Sequence, residues 1–225
     1  MSRRGEDMEQ ASPPRRSLPS LPGMPRRWWP AAAPLLVVGA YALCAALSYW
    51  HVWANPGARS LAPDASDPAG ATWFLAWTPF ALLHLHNPFL STWANAPYGV
   101  NVLGNTSELL LGLVAAPLTL GAGPVTSYNV LMASCGVVSA SAMYVLARRF
   151  ISWRPAAFGA GLLYGFSPYM VGQTAAGHLN LAFVPLPPLV FLVLHELLVR
   201  QRGRPWALGL TLAGLAVYNL LMSTV

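Results

Sequence analysis

Lysine is missing altogether. The 13 basic residues of this 225-residue chain are all arginine, they face only seven acidic residues, and charged residues make up 9% of the total. With 55% hydrophobic residues and a mean hydropathy of +0.47, so little charge excludes a mostly soluble protein. The absence of lysine, beside the richness in Ala, Gly and Pro, reads as the codon bias of a GC-rich bacterial genome rather than as chemistry. Cysteine is nearly absent too: Cys44 and Cys135 each fall inside an apolar run, which excludes a disulfide framework and makes them small core residues. No CxxC zinc spacing, phosphate-cradling glycine loop or recognisable Ser/His/Asp set is present, so the chain offers no frame for those chemistries.

The chain does contain apolar runs of about 20 residues, the length that crosses a hydrocarbon core. They cover about 31–50, 125–147, 156–171, 181–199 and 206–225, and the arginines cluster at their ends. Arg148, Arg149 and Arg154 lie between the second and third runs, and Arg200, Arg202 and Arg204 between the last two. The positive-inside rule puts both connections in the cytoplasm, with the N-terminal tail and its Arg3, Arg4, Arg15, Arg16, Arg26 and Arg27. Basic clusters in those places mark membrane orientation, so no nucleic-acid partner is expected. Residues 1–27 carry too little apolar surface to fold alone and read as a disordered basic tail. A signal peptide would end in small residues, whereas the first run ends in the bulky Ser48-Tyr49-Trp50-His51. The expected location is the bacterial inner (plasma) membrane, multi-pass, with a cytoplasmic N-terminus.

That topology leaves a long outer loop over about 54–123, holding Asp64, Asp67, Glu108 and one arginine, Arg59. Two shorter apolar stretches lie inside it, about 71–86 and 109–121. Charge requires both to cross or neither; length favours neither, and Trp73, Trp77, Phe80 and His84 recur as the stripe of a helix lying in the interface, with Pro79 expected to kink it. Ser66-Asp67-Pro68 places a carboxylate just ahead of that helix, which makes Asp67 the expected chemical centre. Asp64 on the same helical turn would offer a divalent metal a second carboxylate, yet Pro63 and Pro68 argue against a regular turn; no cofactor is assigned. Glu108 is read as a helix-start charge favoured by the dipole. Glu196, beside His195 near the cytoplasmic end of its run, reads as snorkelling.

From about residue 31 to the end, the chain resembles the GT-C superfamily of integral membrane glycosyltransferases, in particular large actinobacterial membrane proteins of that type. The marks are the first span, the outer loop opening with Asp67, two juxtamembrane helices, a span ending in Leu146-Ala147-Arg148-Arg149, the stretch Gly161-Leu162-Leu163-Tyr164-Gly165-Phe166-Ser167-Pro168, and Gly177-His178-Leu179-Asn180 in a later outer loop. The resemblance implies an all-α, polytopic GT-C-like fold. It also implies transfer of a sugar from a polyprenyl-phosphate carrier to a cell-envelope acceptor on the outer face, with Asp67 as the base and inversion at the anomeric carbon. The leaving phosphate needs hydrogen-bonding or positive groups at the same surface. The substrate-binding candidates are His178 and Asn180, with Arg59, His84 and His86 behind them and Asp64 beside the base. Superfamily members have more spans, so a longer parent is expected. The rival reading is a transporter or flippase of lipid-linked intermediates, or a structural subunit with a degenerate fold. A transporter would carry polar groups at mid-span, where this chain is nearly all apolar.

Overall fold

The computed structural model describes residues 33–62, 66–104 and 107–200, together with 209, 211–215 and 218. Apart from Ala33, the described residues belong to one compact unit, Pro34–Val225. The expected basic tail, most of the 206–225 run and Asp64 lie outside the described residues.

The described chain is mostly helical. Helices α1 (Ala33–Ser48) and α2 (Trp50–Trp53) lead into a loop and then α3 (Ser66–Leu83). A two-stranded antiparallel ribbon follows, β1 (Leu90–Ser91) with β2 (Val100–Asn101), and then the short α4 (Leu109–Val114) and α5 (Ala116–Ala122). The longest helix is α6 (Pro124–Phe150), followed by α7 (Arg154–Gly165), α8 (Pro168–Ala176), α9 (Leu179–Ala182) and α10 (Leu186–Leu194), which passes into a π-helical turn over His195–Val199. Among the described residues, two segments are long and apolar enough to cross a membrane: Pro124–Phe150 and Leu179–Val199.

Close approach of α7 to α6 depends on small side chains. Gly161 and Gly165 face Gly136 and Ala140, and a Cβ on Gly165 would fall on the Gly136 carbonyl oxygen. A Cβ on Gly161 would collide with the Tyr41 hydroxyl and lie 2.7 Å from the Ala140 carbonyl oxygen. Spacing of four residues puts both glycines on one helix face, the arrangement that lets two backbones touch. Tyr41 of α1 closes the third side, donating to the Phe158 carbonyl at 2.9 Å and stacking on the Phe158 ring.

Three boundaries differ from the sequence-based expectation. The 156–171 run is not one helix: it breaks after Gly165, where Ser167 accepts the Met170 N–H and Pro168 opens α8. Serine followed by proline is a helix-start signal, and it overrides the apolar continuity of the run. The 181–199 run likewise breaks at residues 183–185, between α9 and α10. The first helix of the outer loop begins at Ser66 rather than near 71, because Pro68 fits a helix's first turn and Asp67 favours its positive end. Its aromatic stripe is not spread on an interface: Trp73 stacks on Trp77, Trp77 is buried, and Phe80 packs on Trp93 of the ribbon loop. The face through Ala71, Leu75 and Thr78 is buried, and α3 packs on α4, α5 and α6.

At the other end of α6, Arg149 Nε pairs with Glu196 Oε1 at 3.0 Å, and Arg200 approaches the same oxygen at 3.8 Å. Glu196 is thus held by arginines rather than merely reaching for water, and its π-helical turn is brought beside the arginine-bearing end of α6.

Substituting Gly161→Leu forces α7 off α6. The expected cost is about 3 kcal/mol or more, read as a lowered melting temperature in detergent, with Gly159→Leu, whose Cβ position is open, as the tolerated control.

Candidate functional site

The site is assembled by two turns that the chain separates by more than a hundred residues. The first is the loop into α3. Asn129 of α6, fully buried, accepts the Leu61 N–H on Oδ1 at 2.9 Å and donates from Nδ2 to the Pro56 and Arg59 carbonyls, both at 2.7 Å. One amide side chain therefore holds the segment that delivers Asp67. Asp67 itself stands in the first turn of α3, where the helix dipole favours a carboxylate.

The second turn ends α8. Gly177 adopts φ +84°, the left-handed conformation that glycine takes at least cost. The Gly177 N–H bonds the Thr174 carbonyl and the His178 N–H bonds the Gln173 carbonyl, the paired bonds of a Schellman cap. Tyr128 of α6 donates to the Gly177 carbonyl at 3.1 Å. Gly177 also lies directly under the other turn: a Cβ there would meet Pro68 Cγ at 2.6 Å and Ala62 Cβ at 3.1 Å. No larger residue lets the two turns meet.

Their meeting brings His178 Nε2 to 2.8 Å from Asp67 Oδ2. The other ring nitrogen, Nδ1, lies 2.7 Å from Gln173 Oε1. Because an ionised carboxylate only accepts, Nε2 carries a proton and donates it to Asp67. Both ring nitrogens are engaged within the protein, so His178 orients Asp67 and presents no nitrogen to a ligand. The Asp67 side chain is 55% exposed, so its carboxylate is accessible from outside.

A second carboxyl lies beneath. Glu108 is 3% exposed and has φ +49°, an uncommon conformation for a residue with a side chain. It precedes α4, yet its side chain does not cap that helix. The Asn180 backbone N–H acts on its carboxyl instead. Burial, with the nearby Asp67 charge adding to it, pushes the Glu108 carboxyl up to about 8 against the partial opposition of the Asn180 N–H. The expectation of a plain helix-start charge is therefore corrected, since the carboxyl turns inward, where the dipole is not what holds it.

Among the expected candidates, the structure brings Asp67 and His178 into contact, and Asn180 follows two residues later in α9. His84 sits at the far end of α3, roughly 25 Å from Asp67 at about 1.5 Å per residue, where its Nδ1 bonds the Phe80 carbonyl and its ring stacks on Phe80. His86 packs on the same ring. Arg59 is exposed and uses one N–H on the His51 carbonyl. Among the described residues, no three His, Cys, Asp or Glu side chains gather as a metal-binding group. Gln173, Tyr128, Asn129 and the site role of Glu108 were not read from the sequence. An acid just ahead of an apolar helix looks like a helix start, and polar residues inside an apolar run have no visible partner.

Compared with protein-family models, curated proteins and solved structures, the chain matches none.

Replacing Asn129 with alanine removes three buried hydrogen bonds and leaves backbone groups unpaired, an expected loss of about 2–4 kcal/mol. Trypsin should then cleave after Arg59 faster than in the wild type, while cleavage after Arg149 is unchanged.

Proposed function

We propose that the protein is a membrane glycosyltransferase of GT-C type, moving a sugar from a polyprenyl-phosphate donor to a cell-envelope acceptor at the extracytoplasmic face. The observation that carries this reading is the accessible Asp67 carboxylate, anchored through Oδ2 by a histidine that is itself anchored. A base has to meet the acceptor hydroxyl with fixed geometry. Asp67 has that orientation, and Oδ1 is the oxygen that His178 leaves for the hydroxyl proton. As the acceptor oxygen attacks the anomeric carbon, its proton passes to Oδ1 and the phosphate leaves with the bonding pair. A single displacement inverts the configuration. The exposed Arg59 guanidinium, with one N–H on a backbone carbonyl, and the Asn180 side chain are the groups assigned to the phosphate.

Membrane insertion is supported by apolar surface that no described residue covers. Only 17% of the apolar window within Leu179–Val199 is buried, and Leu35, Leu36, Leu43 and Leu47 of α1 all stand exposed. Bare apolar area on this scale needs lipid. In this reading the polytopic chain sits in the plasma membrane with its N-terminus inside, the arginine-bearing end of α6 faces the cytoplasm, and the Asp67 end faces out.

Two experiments test the proposal. Asp67→Asn is expected to lower transfer of labelled sugar from a panel of polyprenyl-phosphate monosaccharides by roughly 10²–10⁴-fold at unchanged expression; equal transfer by both proteins removes Asp67 as the base, and no transfer from any donor favours transport or a structural role. For orientation, single cysteines at Ser60 and Trp153 are introduced in a background lacking Cys44 and Cys135. A membrane-impermeant maleimide should label Ser60→Cys in intact cells and Trp153→Cys only after permeabilisation; the reverse pattern overturns the topology.

A further inference from the structure

The segment Gly177–Asn180 acts on two carboxyls rather than one. His178 Nε2 holds Asp67, and two residues later the Asn180 backbone N–H acts on Glu108. Their surroundings are opposite. Asp67 is half exposed at the positive end of a helix, whereas Glu108 is buried and its Oε2 has no hydrogen-bond partner among the described residues. The groups facing Glu108 supply no compensating charge. From α3 comes Asp67, a like charge; from the Gly177–Asn180 turn come one neutral N–H and a histidine whose Nε2 is bonded to Asp67; from α6 come Tyr128 and Cys135; from residues 211–218 comes Tyr218. No arginine is among the groups that act on it, and His178, the basic side chain of that turn, is committed to Asp67.

An ionised carboxylate buried without a cation, beside a second carboxylate, is among the most expensive arrangements in a protein interior. Two carboxyls placed in this way divide their protons by environment: the solvated one ionises and the buried one keeps its proton. We propose that Glu108 is the proton-holding partner of Asp67, a positioning residue that stays the neutral acid so that no second charge disturbs the turn that holds Asp67 as the base. The inference rests on the transferase reading for its consequence in catalysis, though not for the protonation itself. The Glu108 carboxyl lies beside the Asn180 N–H of the turn that carries His178. It keeps its proton, so no second negative charge appears next to Asp67. Ionising Glu108 places that charge there. That buried like charge pushes on the Asp67 carboxylate and strains the turn holding His178, so Asp67 loses its fixed orientation.

Glu108 is neutral below about 8 and ionises above it, so transfer should fall on the alkaline side as pH passes through that value. The conservative Glu108→Gln variant keeps an oxygen for the Asn180 N–H and is neutral at every pH. It should retain transfer near pH 7 within a few-fold and lose the alkaline limb. Glu108→Ala, which cannot hold the Asn180 N–H, should lose most transfer at every pH.

Infrared difference spectroscopy of the full chain in lipid, needing no substrate, reads the protonation directly. The wild type should show a protonated-carboxyl C=O band at pH 6.5 that disappears by pH 10 and is missing from Glu108→Gln. That band supports the proposal even if no donor yields transfer, in which case the transferase reading alone fails. The proposal is overturned if the wild type lacks the band, if Glu108→Gln retains it, or if transfer by Glu108→Gln keeps the wild-type alkaline limb.

Discussion

Irregular backbone buried between helices has to find hydrogen-bond partners, and α6 provides them. Three polar side chains on this largely apolar helix each serve one break in the surrounding chain. Asn129 satisfies the 56–61 loop, Tyr128 the Gly177 carbonyl, and Ser139 Oγ accepts the Val184 N–H at the gap between α9 and α10. Tyr164 and Tyr218 complete that gap by donating to the Val184 and Phe183 carbonyls. An unpaired buried amide or carbonyl costs as much as a lost hydrogen bond, and more where no water reaches it. The breaks are therefore tolerated only where α6 and its neighbours present a partner, and the candidate site lies at two of them.

This arrangement explains why a helix with the length and hydropathy of a membrane span carries Ser127, Tyr128, Asn129 and Ser139 fully or almost fully buried. Polar groups in such a helix are usually read as a pathway for a transported solute. Here each with a described partner bonds protein: Ser127 accepts from Thr119, and the other three hold the loops named above. They fix the turns that carry Asp67 and His178 and the gap between α9 and α10. The close approach of α7 through Gly161 and Gly165 supports the same helix from its other side.

In the roles proposed for them, Asp67 and Glu108 differ by depth. Both are carboxyls beside the same four-residue segment. One is reached by solvent and a helix dipole; the other is enclosed with tyrosines, a thiol and a like charge. Their chemical difference is produced by placement, so a mutation that alters packing without touching either acid is expected to alter their chemistry.

Much of this protein is determined locally. The scarcity of charge and the apolar runs favour a mostly helical chain with segments long and apolar enough to cross a membrane, because both properties depend only on which residues lie within a window of about 20. Ser66-Asp67-Pro68 likewise starts a helix through first-turn chemistry, and Gly177 ends one through its backbone freedom. The tertiary structure alone decided that Asp67 is half exposed while Glu108 is buried, that His178 faces Asp67, and that His84 is remote. Each of those depends on a contact between turns that α6 brings together: Asn129 reaches about 70 positions back to Arg59, and His178 meets Asp67 from more than a hundred positions on. A pattern with a period of 3.6 residues records which way a side chain faces, but not what it will face when the chain returns.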